Sequence, residues 1–206
     1  MGAELLAWAF TSGWASGINA YAVVLVMGLF ERFGHVAAIP DVLARTDVLV
    51  VAAVLFALEM VADKIPYVDS LWDSVRTAIR PIVGATLGYL LGHESSDLAA
   101  ALLAATGGIS ALASHVVKAG VRAGVNTTPE PVSNIAVSTA EDVTVAGIIT
   151  LAVANPWLAA TAAAILLIAG LALATYVVRR VRRLARPRTA THPSGPADVG
   201  VAGEPQ

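Results

Sequence analysis

Residues 157–178 read WLAATAAAILLIAGLALATYVV, 22 positions without a charged side chain. The hydrocarbon core of a bilayer is crossed by about 20 helical residues, so this stretch predicts a transmembrane helix. Arg179, Arg180, Arg182, Arg183, Arg186 and Arg188 follow it directly. A basic flank of this kind anchors the cytoplasmic end of a span. Beyond it, residues 184–206 form an Arg- and Pro-rich tail with few apolar anchors, which predicts a disordered cytoplasmic segment.

The rest of the chain resembles this stretch in composition. Of its 206 residues, 57% are hydrophobic and 14% charged, with a mean hydropathy of +0.73. A soluble domain is nearer a quarter charged. Further apolar runs lie at Leu5–Phe30, Val48–Ala62, Pro81–Gly92, Leu98–Val117 and Ile135–Ala154. The expected fold is therefore all-α, a polytopic bundle of about six membrane segments over residues 1–183. The second and third runs are short. Five spans with one re-entrant apolar piece are the alternative. Six spans put both termini on one side, and the inner side then collects eleven of the thirteen Lys and Arg residues, leaving Arg32 and Arg45 outside. This asymmetry predicts the inner (plasma) membrane with both termini cytoplasmic.

Several functions are excluded or unsupported. The chain has no cysteine, which removes disulfides, thiolate metal sites and thiol catalysis. No P-loop, dinucleotide fingerprint, HExxH or Ser-His-Asp arrangement appears, so no cofactor and no nucleic-acid partner is expected. Asp63, Asp69 and Asp73 lie in a stretch that reads as an interfacial loop. A lipid-modifying enzyme built on them is the least favoured function.

Charges inside apolar runs carry the functional signal, because each costs roughly 2.5–3.5 kcal/mol at a bilayer centre on insertion scales. Glu59 and Asp63 are four apart and share a helix face, with Lys64 beside them. His115, Lys118 and Arg122 share another if their helix continues. The expectation is that these acidic and basic faces meet. Glu141 and Asp142 are adjacent and point about 100° apart. Alternatively their helix starts later and Asp142 sits in its first turn. Asn19 follows Gly17 inside an apolar run, where its amide can replace a broken backbone hydrogen bond. Gly17-Ile18-Asn19 has an echo in Gly124-Val125-Asn126, and Glu59 one in Glu141, which suggests a 3+3 inverted repeat.

Gly17-Ile18-Asn19-Ala20-Tyr21, the stretch from Leu58 to Pro66 with Asp69 and Trp72, and Arg80-Pro81 together resemble the bacterial membrane family known as domain of unknown function 4126. His115, Lys118, Arg122, Asn134 and Glu141-Asp142 fit its second half. The resemblance covers about residues 5–180 and implies a multi-span membrane protein, with no activity attached.

Two functions follow from the residues. One is a small-solute, ion or proton transporter or channel-like protein, with a polar site drawn from Asn19, Glu59, Asp63, Lys64, His115, Lys118, Arg122, Glu141 and Asp142. The other is a non-catalytic scaffold or accessory subunit. Its glycine pairs Gly13/Gly17, Gly84/Gly88 and Gly120/Gly124 would pack helices within the chain, or against a second copy or another membrane subunit.

Overall fold

The computed structural model describes residues 2–62, 68–125 and 131–184. Among these residues are six α-helices: α1 Gly2–Gly34, α2 Thr46–Ala62, α3 Val68–Gly92, α4 Asp97–Val125, α5 Pro131–Ala154 and α6 Pro156–Leu184. A short 3-10 turn, Asp41–Ala44, precedes α2. Among the described residues four helices, α1, α4, α5 and α6, are long and apolar enough to cross a membrane.

The helix ends follow local chemistry. The Ser96 hydroxyl accepts from Ala99 N at 3.1 Å, and Asn155 Oδ1 accepts from Leu158 N at 3.0 Å. Each caps the helix that follows it. Three boundaries differ from the sequence reading. α3 starts at Val68, so the part of the expected interfacial loop from Val68 onward is helical, and Pro81 lies inside α3. α4 runs past Val117 to Val125, which puts Lys118 and Arg122 on it. α5 starts at Pro131, so Asp142 is in mid-helix and not in a first turn.

Bare glycine faces set the directions of the helices, because they let backbones touch. A Cβ on Gly13 would strike Gly107 and Ser110, and one on Gly17 would strike Ala111 and Ser114. The first half of α1 therefore runs parallel to α4. Gly84 meets Gly107, Gly88 meets Leu103 and Gly92 meets Ala100, so α3 is antiparallel to α4. Gly120 meets Ala174 and Gly170 meets Val117, so α6 is parallel to α4. The glycine pairs at Gly13/Gly17 and Gly84/Gly88 are thus consumed inside the chain.

α1 is not straight. Asn19 has φ −147° and ψ 97° inside it. A straight helix would place Trp8 and Gly34 about 39 Å apart at 1.5 Å per residue. Yet Glu4, Leu5 and Trp8 line one cavity of about 700 Å³ together with residues 37–42 and with Leu90, Leu91, His93, Glu94 and Ser95. The second half of α1 therefore folds back toward the end from which the first half came. α1 is a hairpin with its tip at Ile18-Asn19. α2 then runs antiparallel to the returning half: Tyr21 and Val24 share a cavity with Asp47, Val51 and Leu55, and Gly28 packs on Leu43 and Leu49.

These contacts fix the direction of each helix in the bundle. Gly2 and Leu184 lie at opposite ends of the bundle, because α1 enters and leaves at the same end while α2 to α6 each traverse it. The apolar run that doubles back is the first, while α2 and α3, which carry the short ones, are not among the described helices long and apolar enough to cross a membrane. The echo of the broken helix is not repeated among the described residues. α4 is continuous through Gly124 and Val125, and Asn126 lies outside them. So do Asp63, Lys64 and the tail 185–206, and with them the side chains of Asp69, Trp72, Asp73 and Asn134.

Candidate functional site

The hairpin tip leaves backbone groups without helical partners, and side chains of α1 itself and of α4 take them. Asn19 adopts extended backbone, and its Oδ1 accepts from Ala22 N at 2.9 Å. It is thus the N-cap of the returning half-helix. Its Nδ2 donates to Asp142 Oδ1 of α5 at 2.9 Å. Across the break, the Ile18 carbonyl accepts from Lys118 Nζ of α4 at 2.9 Å. The tip is held from both sides: a cation sits on the carbonyl end of one half-helix and a carboxylate on the amide that starts the other. Half-helix dipoles favour that arrangement of charge.

Lys118 also reaches Glu141 Oε2 at 3.1 Å, and Arg122 Nη2 reaches the same oxygen at 2.9 Å. Lys118 is 4% exposed, and the Glu141 side chain is 15% exposed. Glu141 and Lys118 form the polar floor of a cleft of about 270 Å³ between α1, α4, α5 and α6. Trp14, Val117, Val121, Val137, Leu166 and Leu167 supply its apolar walls. Ser114, also on the cleft, donates to Trp14 O at 2.6 Å and tethers α4 to the hairpin.

A second network lies between α2, α3 and α4. Leu49, Ala52 and Glu59 are the buried residues of α2, spaced as one face of a helix. Glu59 Oε1 accepts from Arg80 Nη2 at 2.7 Å and lies 3.4 Å from Arg76 Nη1. Arg80 Nη1 is 2.8 Å from His115 Nδ1, and His115 Nε2 is 2.9 Å from Thr77 Oγ1. Arginine only donates, so His115 accepts at Nδ1 and donates from Nε2 to Thr77. Glu59, Arg76 and Arg80 are each 1% exposed. Tyr21, just past the hairpin tip, is within electrostatic reach of all three.

The expected meeting of Glu59 with the basic face of α4 is therefore indirect. Arg80 stands between Glu59 and His115, while Lys118 and Arg122 turn to Glu141. Asn19, His115, Lys118, Arg122, Glu141 and Asp142 do converge on neighbouring surfaces of α1, α4 and α5. Arg76 and Arg80 were missed as partners. Their signal was available, since they are four apart in a segment that becomes apolar one residue later. Among the described residues no group of three or more His, Asp or Glu side chains is placed to hold a metal ion.

The fold and these buried charges define the class as an all-α bundle with four helices, among the described residues, long and apolar enough to cross a membrane, and with a hairpin helix braced by buried ion pairs. Residues 6–176 match the family described as Domain of unknown function (DUF4126), and the chain belongs to that family. No curated protein and no solved structure matches it.

Proposed function

We propose that the protein is a small-solute or proton transport protein of the plasma membrane, working at the hairpin tip. One observation carries this reading: α1 is broken at Asn19, and the break lies against Lys118, Glu141 and Asp142 beside a cleft. Irregular backbone at membrane depth is tolerated where it is buried or lines a cavity, and broken helices of this kind form midplane sites in transporters. Arg76, Arg80, Lys118, Arg122, Arg179 and Arg180 lie in the tail-side half of the bundle, with Arg32 and Arg45 at the other end. By the positive-inside rule this distribution supports a cytoplasmic tail and an outer Gly2. The test is flux in proteoliposomes holding the full chain, with an entrapped pH dye and with osmotic swelling in small neutral solutes. Faster flux than in protein-free vesicles, lost in Glu141→Ala, supports the reading. Equal rates in all three preparations would sink it.

A scaffold is the second reading. The enclosure of Glu59 by Arg76 and Arg80 favours it, because a charge network sealed from water clamps helices and carries nothing. On this reading the Glu59 network is a brace, and it is compatible with a working site at Glu141.

A further inference from the structure

Both ion-pair contacts of Glu141 end on one oxygen, Oε2. Oε1 takes none of the described hydrogen bonds, and the side chain lines the 270 Å³ cleft. The cleft floor therefore offers a hydrogen-bond acceptor. Among the described residues, Lys118 and Arg122 stand against Glu141 and Asp142 beside it. A cationic ligand would meet two cations about one hydrogen bond further in. An anion would meet a carboxylate oxygen at the point of contact. A neutral donor meets neither repulsion, and a carboxylate acceptor in a low-dielectric site rewards it more than a neutral acceptor does. The walls are aliphatic apart from Trp14, Ser114 and Thr144. The volume falls just below the roughly 300–1,000 Å³ of small-molecule pockets, which suits a short chain and not a whole phospholipid.

We propose that this cleft binds an uncharged, hydroxyl-bearing aliphatic molecule. Its hydroxyl donates to Glu141 Oε1, and its hydrocarbon lies along Val117, Val121, Val137 and Leu166. This names the substrate class of the site in the transport reading and rests on that reading for its physiological role; occupancy itself is measurable without transport.

The experiment is photolabelling of the full chain in detergent micelles with three diazirine-bearing probes of equal length: 1-octanol, octylamine and octanoic acid. Labelled residues are read by peptide mass spectrometry. The octanol probe is expected to label residues 117–121 and 137–144 at least tenfold more than either charged probe, and excess unlabelled 1-octanol is expected to compete. Ala140→Trp, which fills the cleft, should cut that labelling at least tenfold, and Val137→Phe serves if the first variant does not fold. Preference for octylamine or octanoic acid would overturn the proposal in favour of a charged ligand. Labelling spread evenly over the outward residues Ile165, Ile168 and Leu173 would overturn it in favour of simple partitioning. Failure of flux with binding intact would remove the transport reading alone. Failure of binding with flux intact would remove this inference alone.

Discussion

Lys118 Nζ donates to the carbonyl of Ile18 at 2.9 Å, joining residues 100 positions apart where α1 breaks. The same ammonium lies 3.1 Å from Glu141 Oε2. One side chain thus serves the backbone of the hairpin tip and the charge of α5. The position of the tip and the state of Glu141 are therefore mechanically linked.

Asn19 is the other half of that linkage. Asn19→Ala removes an N-cap, about 1 kcal/mol, and strips Asp142 of a hydrogen bond in a part-buried setting, about 1–3 kcal/mol. The expected loss is roughly 2–4 kcal/mol, read by denaturant unfolding in detergent. An unchanged midpoint would mean that the hairpin is held by packing alone.

Charge pairing is tested by two double-mutant cycles. Glu59→Ala and Arg80→Ala should be coupled by more than about 1 kcal/mol, because breaking a buried pair leaves one charge uncompensated. Glu59→Ala and Lys118→Ala should be additive within about 0.5 kcal/mol, since the described contacts of Lys118 go to Glu141 and Ile18 and none goes to Glu59. Strong coupling in the second cycle would restore the pairing inferred from sequence. Exposed Arg45 and Asp47 make a contact of 2.7 Å, and that guanidinium holds the Asp47 carboxyl below the usual carboxylate range. Its contribution is present at neutral pH and fades as pH falls through the lowered value. At such exposure Asp47→Asn should leave the melting temperature unchanged.

The topology gives a third prediction. The chain has no cysteine, so Ala3→Cys, Ala38→Cys and Arg180→Cys can be labelled one at a time in intact cells with an impermeant maleimide. Ala3→Cys and Ala38→Cys should react from the same side, and Arg180→Cys only after permeabilisation. Reaction of the Ala3 and Arg180 variants from one side would contradict the hairpin.

Glycine positions separate packing from backbone entropy. Gly13→Ala puts a methyl into Gly107 and Ser110 and should cost about 1–3 kcal/mol. Gly147 has nothing within 4 Å of an added Cβ. Gly147→Ala should therefore stabilise α5 by about 0.5–1 kcal/mol. Similar effects at both positions would mean that the α1–α4 contact is looser than described.

Much of this protein follows from its sequence alone, because it depends on local properties. Uninterrupted apolar length dictates a helix long and apolar enough to cross a membrane at 157–178. Glycine followed by asparagine allows a break near residue 19, since the amide of Asn19 can replace the hydrogen bond that the backbone loses. The cost of a bare charge in an apolar setting dictates that Glu59, Lys118 and Glu141 must find partners. Which partners they find was decided only by tertiary structure. A helix face can be read from spacing, but its neighbour depends on the direction and rotation of each helix. The glycine contacts set those: Gly13 on Gly107 aligns α1 with α4, and Gly84 on Gly107 reverses α3 against it. That packing puts Arg76 and Arg80 on Glu59 before α4 can reach it. The fold of α1 back on itself was equally out of reach, because a break states where a helix bends and not by how much. The angle comes from what the returning half covers, here the 3-10 turn and α2.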